Sequence, residues 1–190
     1  MLCYRQQDYP QYKSWSALKK LLDSFLCPSL AGKISYFYTT YHKNRNTNLY
    51  GRAAIRYEKT ELVSFSWDVD YDKQFPDWSA AVDRLTDEDI QAAGSPQNAA
   101  DQVYGDLMKS KWLPEATLCN HDFFYAAAVY VNMEVAAALA SDNFLFRVFA
   151  FMDRRVGKRT LLKIKEDTLS LPDSVKQFYL LRCNAEGISL

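Results

Sequence analysis

The densest chemistry in this chain lies at Asp153-Arg154-Arg155-Val156-Gly157-Lys158-Arg159, where five charges fall within seven residues. With Lys163 and Lys165 added, six cations stand between Asp153 and Glu166, a net of +4. Arginines offer planar, bidentate donors to phosphate, so such a cluster at a helix junction could hold an anion or a nucleic-acid backbone. Lys33, Lys43, Arg45, Arg52 and Arg56 add charge beside tyrosines, a pairing that single-strand binders use. A structural role is also available. The cations follow an apolar helix whose free carbonyls and dipole favour positive charge, and Asp153 can pair with a neighbouring arginine. Gly157 suits the turn between them. The structural role is favoured, a protein contact comes second and nucleic acid third. The candidate cluster, for binding or for structure, is Arg154, Arg155, Lys158, Arg159 and Lys163.

Elsewhere the chemistry thins out. His42 and His121 are the only histidines, and Cys119-Asn120-His121-Asp122 is the only place where thiol, imidazole and carboxylate are close in sequence. Catalytic groups need spatial rather than sequential proximity, so this run reads more simply as a helix start, and no catalytic residue is assigned. Asp68, Asp70 and Asp72 alternate as in some calcium loops, but the glycine and distal glutamate of an EF-hand are missing. Cys3, Cys27, Cys119 and Cys183 are too far apart for a zinc knuckle or a Cys-x-x-Cys pair. The six glycines are scattered singly, so no phosphate loop forms. No metal and no cofactor are called for.

These residues must be carried by recognisable elements. Residues 1–13 read as an irregular arm. Ser14 can cap a helix burying Trp15, Leu18, Leu21, Leu22, Phe25 and Leu26, which Pro28 stops. Three strands follow: Lys33 to Lys43, Gly51 to Tyr57 and Glu61 to Asp68, the first two joined by the polar loop Asn44 to Asn48. Placing Ile55 opposite Val63 and Ala53 opposite Phe65 sets Tyr57 against Glu61, with a three-residue loop Glu58-Lys59-Thr60. Asp68 to Pro76 is an acidic connection, and the rest is helical. Helices are predicted at Trp78–Leu85, Asp87–Ala93 and Gln97–Lys111, broken at Gly94-Ser95-Pro96. Asp122 should cap a helix from Phe123, with the alanine-rich run to Ala140 bent near Asn132. Asp142 or Asn143 caps the helix of Phe144, Leu145, Val148, Phe149 and Met152; Lys158–Glu166 and a final helix from Pro172-Asp173-Ser174 to Cys183 complete the chain. The fold class is α+β: an N-terminal helix, a three-stranded antiparallel meander, then a mainly α-helical C-terminal half. The domain reading is one unit over 14–190, with helix and sheet in 14–68 and acidic connection and helices in 69–190.

The 190 residues are long enough for a real core, and 48% hydrophobic with 24% charged is ordinary for a globular protein. Net charge is zero but unevenly laid out. Residues 1–67 carry +6, 68–106 carry −8, 107–152 carry −1 and 153–190 carry +3. The acidic middle either packs against the basic ends, the favoured reading, or is a face offered to a partner. Met1 to Lys13 holds no apolar leader run. Asn132 and Glu134 interrupt the apolar segment Phe123 to Ser141, which argues against a membrane span. A cytoplasmic protein with reduced, buried thiols follows.

Trp15-Ser16-Ala17-Leu18-Lys19-Lys20-Leu21, Phe25-Leu26-Cys27-Pro28-Ser29-Leu30, Tyr50-Gly51-Arg52-Ala53 and Met152-Asp153-Arg154-Arg155-Val156-Gly157-Lys158-Arg159 resemble, in order, segments of an uncharacterised family of small bacterial cytoplasmic proteins. The likeness spans residues 14–165. It implies a bacterial, intracellular setting and assigns no activity. The last segment is similar also to stretches of other small bacterial proteins, some encoded beside toxins, and no functional residue carries over. The leading functional reading is a non-enzymatic binding protein acting on a protein partner. A nucleic-acid accessory protein using the basic 154–165 cluster is second, and a small metabolic enzyme third.

Overall fold

A computed structural model describes residues 14–41, 50–113, 115 and 117–189. The arm 1–13, the hairpin loop 44–48, His42, Lys43 and Arg45 lie outside the described residues. Helix α1 (Trp15–Phe25) starts where Ser14 Oγ accepts the amide of Ala17 and buries Leu18 and Leu22, while Leu21 faces solvent. The strands β1 (Ile34–Tyr41), β2 (Tyr50–Tyr57) and β3 (Thr60–Ser66) pair antiparallel in the order β1-β2-β3, a meander.

The β2–β3 hairpin keeps the predicted pairs Ile55 with Val63 and Ala53 with Phe65, but the loop differs. Tyr57 pairs with Thr60, leaving a two-residue turn at Glu58-Lys59, both with positive φ (47° and 76°). The register shifts between Ile55 and Arg56, so a bulge takes up the residue assigned to the loop. A primed two-residue turn matches strand twist, and the bulge returns Val63 and Phe65 to the core face. Beyond Ser66 the chain is helical at once: α2 (Trp67–Val69), then a π-helical turn (Asp70–Gln74). Asp68 thus ends no strand, and the acidic run forms no loop of the kind that wraps calcium.

The helical half begins with α3 (Phe75–Val82), which starts three residues before the predicted Trp78 because Pro76 fits a first turn. Then come α4 (Asp87–Ala93), capped by Thr86 and Asp89 and ended by left-handed Gly94, and α5 (Pro96–Leu107), capped by Ser95 and prolonged as a π-helix (Met108–Trp112). Next are α6 (Asn120–Tyr130) and α7 (Val135–Leu139), with the break around Asn132, and α8 (Phe144–Met152), capped by Asn143. The predicted Lys158–Glu166 helix is two: α9 (Lys158–Lys163) and α10 (Lys165–Leu169). The last, α11 (Asp173–Ala185), ends the fold.

Helix α8 is the centre. All of its residues but Arg147 are buried, so it is apolar all round, as a helix packed on every side must be. One face meets α6, which itself lies on β2 and β3, and another meets α11. Phe149 joins these layers, with its ring 5.2–5.8 Å from those of Tyr36, Phe123 and Tyr130. Tyr36, Ala53, Ile55 and Phe65 mark the helix-covered face of the sheet. Each buried ring of this size contributes roughly 2 kcal/mol by transfer from water.

Candidate functional site

The basic cluster sits where the ends of α1, α8 and α11 converge. Asp153, directly after α8, is 1% exposed. Its carboxylate accepts the Tyr130 hydroxyl at 2.6 Å, the Arg155 amide at 2.7 Å, and Nε and Nη2 of Arg155 at 3.0 and 2.8 Å. The Arg155 guanidinium also covers the Phe25 ring, 4.3 Å from its centre. Burial first, then the bond to Asp153, pushes the Tyr130 hydroxyl well above its ordinary range. The same carboxylate holds Arg155 more firmly charged.

Backbone bonds tie the junction to α1: the Arg154 amide donates to the Phe25 carbonyl at 2.7 Å and the Cys27 amide to the Met152 carbonyl at 2.9 Å. From the other side comes Arg182 of α11, itself buried. Its Nη1 donates to the carbonyls of Phe151 and Asp153, both at 3.0 Å, and Nη2 to that of Val156 at 2.8 Å. An arginine from another helix thus collects the carbonyls left open as α8 ends. Glu186 neutralises it, accepting Nε at 3.2 Å, and Lys158 donates to the Glu186 carbonyl at 2.7 Å.

The cluster therefore divides. Arg155 and Lys158 are engaged in this junction. Arg154, Arg159 and Lys163 are exposed and have no side-chain partner among the described residues. Sequence reasoning missed Tyr130, Arg182 and Glu186. The signal for Arg182 was present: Val175, Phe178, Tyr179, Arg182 and Cys183 recur three and four apart, which places this arginine on the buried face.

A second polar group is buried at the start of α6. The sequence predicts Asp122 as the cap; the helix instead begins at Asn120, and Asp122 reaches back to accept the Cys119 amide at 2.9 Å. Gln74, from the π-helical turn before α3, donates through Nε2 to Asp122 at 2.9 Å and to the Thr117 carbonyl at 3.0 Å. Burial, only partly offset by these donors, raises the Asp122 carboxyl above its ordinary value. Asn120 is fully buried against Gly51 of β2, and neither amide atom has a hydrogen-bond partner among the described residues. Cys119 is buried and His121 half-buried. These groups position α6 on the sheet. No group of three or more His, Cys, Asp or Glu that could hold a metal occurs among the described residues.

The third feature is the acidic lobe formed by α3, α4 and α5. Residues 75–107 hold seven acidic side chains and one basic, Arg84. Asp77 is tied down by Lys111 at 2.8 Å and the Trp112 indole at 2.9 Å, which lowers its pKa. Asp83, Asp87, Glu88 and Asp106 are exposed, with no cation within ion-pair distance among the described residues. Among the described residues no ion pair joins the acidic middle to the basic ends. The ends pair internally, Arg52 and Arg56 with Glu61, Arg155 with Asp153, Arg182 with Glu186. Of the lobe's residues only Ala99 and Ala100 are buried, and the exposed Phe75 ring lies 5.9 Å from that of Trp78. No described helix is long and apolar enough to cross a membrane.

Neither a curated protein nor a solved structure matches this chain. A family model does, over residues 14–183, a span that takes in the sheet, the α8 junction and nearly all of α11. By that match the chain belongs to the SF0329 protein family, a family of uncharacterised type.

Proposed function

We propose that this protein is a non-enzymatic binding protein whose acidic lobe takes a basic segment of a protein partner. The observation that carries this reading is the lobe's exposed charge: Asp83, Asp87, Glu88 and Asp106 lack cation partners among the described residues. Unpaired carboxylates on one lobe give it a negative field, and a lysine- or arginine-rich segment is steered toward it. Phe75 supplies an exposed ring at the lobe's edge, the kind of residue that anchors interfaces. The bacterial cytoplasm is the setting that goes with this reading, supported by the segment resemblance and by Cys27, Cys119 and Cys183 being buried cysteines outside any disulfide. The alternative, nucleic-acid binding, rests on the exposed Arg154, Arg159 and Lys163.

Two charge-swapped proteins separate the readings. One carries Asp83→Lys, Asp87→Lys, Glu88→Lys and Asp106→Lys; the other carries Arg154→Glu, Arg159→Glu and Lys163→Glu. A partner captured by the unaltered protein from host extract should be lost by the first and kept by the second, with capture weakening steeply as salt rises. Loss by the second alone, together with retention of short RNA or DNA by the unaltered protein, assigns binding to the basic face instead.

A further inference from the structure

The loop between α1 and β1 meets the β2–β3 turn at one end of the sheet, where the Glu58 amide donates to the Lys33 carbonyl at 2.9 Å. Between them lies an open cleft of about 290 Å³ lined by Gly32, Lys33, Ser35, Arg56, Glu58 and Lys59. Three of those six residues carry cations and one a carboxylate. Lys33 and Lys59 are exposed and have no side-chain partner among the described residues. Arg56 is fixed. Its Nε and Nη2 donate to Glu61 at 3.1 and 2.8 Å, and its guanidinium lies 4.5 Å from the centre of the Phe37 ring. Ser35, paired across the strands with Arg56, offers an exposed hydroxyl as a fourth donor.

We infer that this cleft binds a phosphate group, free or carried by a small molecule. Arg56 is already paired with Glu61, but the exposed Lys33 and Lys59 still outnumber Glu58 around the cleft, and an oxyanion supplies the missing negative charge. Lysines act as mobile point charges that can close on the anion, while Arg56 is held ready by its contacts with Glu61 and Phe37. The volume is at the low end for ligand pockets, so it suits a phosphate or a small phosphomonoester rather than a dinucleotide. The turn adds a geometric argument. Glu58 and Lys59 both adopt left-handed backbone, a conformation that a two-residue turn normally gives to Asn-Gly, yet here a lysine occupies the second position and lines the cleft.

The intact protein is titrated at constant ionic strength with inorganic phosphate, with glycerol phosphate and with chloride, while amide chemical shifts are followed. Saturable shifts are expected at Gly32, Ser35 and Lys59 with either phosphate and not with chloride. Tighter binding of glycerol phosphate identifies a carried phosphate as the ligand, and equal binding identifies the free ion. Lys33→Ala with Lys59→Ala should weaken binding about tenfold or more without changing the circular dichroism. Arg154→Ala with Lys163→Ala should leave it unchanged. Absence of saturation, equal shifts with chloride, or full binding by the Lys33/Lys59 variant overturns the assignment. None of these residues belongs to the acidic lobe, so the partner reading stands or falls separately.

Discussion

Two neighbouring residues, Asp153 and Arg154, are adjacent in the chain and opposite in circumstance. Asp153 is buried with four donors on its carboxylate, whereas the Arg154 side chain is in solvent and only its amide is engaged. Replacing Asp153 strands the Tyr130 hydroxyl and leaves Arg155 without its counter-ion. Asp153→Ala should therefore cost about 3–5 kcal/mol in urea denaturation, while Arg154→Ala should stay within about 0.5 kcal/mol. Equal losses would mean that the junction is not organised around this carboxylate. At this scale the sequence showed that Asp153 had a partner at hand and that cations suited the end of α8. Which cations are held and which are free was not legible, because that depends on Tyr130, Phe25 and Arg182, brought from 23, 128 and 29 residues away. Arg182 was legible in kind, as a charge on an apolar helix face, though not in its target.

Among the elements, α1, β2 and α8 follow closely from periodicity, since each buries a face whose spacing is visible in the chain. The corrections fall at ends and turns. The hairpin prediction needed three loop residues to keep Val63 and Phe65 inward; a bulge achieved the same end inside the strand. Alternation constrains which face a residue takes, and it does not say where an extra residue is absorbed. The start of α6 moved upstream because Asp122 can receive the helix's amides from its third position as well as from the cap. The seating of α6 on β2 makes a direct test. A methyl at Gly51 would fall on Asn120 Nδ2 and 2.9 Å from the Thr39 carbonyl oxygen. Gly51→Ala should lower stability by about 1–3 kcal/mol in thermal melts. Asn120→Ala, by opening that space, should make the second substitution less costly than it is alone. Additive losses would show that Asn120 does not pack on Gly51.

For the molecule as a whole, three buried tyrosines packed on the rings of α8 have a consequence at high pH. Tyr36 is held well above its ordinary value by burial, Tyr130 by burial and Asp153, and Tyr179 is pushed up to about 12 by burial and its bond with Cys183. In the unfolded chain tyrosines ionise near pH 10. Above that pH the folded state keeps protons that the unfolded state releases, so stability should be level up to about pH 9.5 and decline beyond pH 10. Denaturation midpoints across this range check it, and the share of tyrosinate absorbance that comes from these three hydroxyls should rise with unfolding rather than before it. A midpoint unmoved by base would contradict the burial of these hydroxyls.

The sequence by itself determined the class of fold, the order of helix, meander and helices, the main strand pairs and the uneven charge. Periodicity, capping residues and composition act locally, so they survive without knowledge of the fold. Only the tertiary structure decided how that charge is used. It paired Arg52, Arg56, Arg155 and Arg182 with carboxylates of their own segments and left Arg154, Arg159 and Lys163 exposed, kept the α3–α5 lobe acidic and exposed, and brought Lys33 and Lys59 to one cleft. Such encounters depend on which elements pack together, and packing is chosen by the sum of buried contacts over the whole chain, which no single stretch contains.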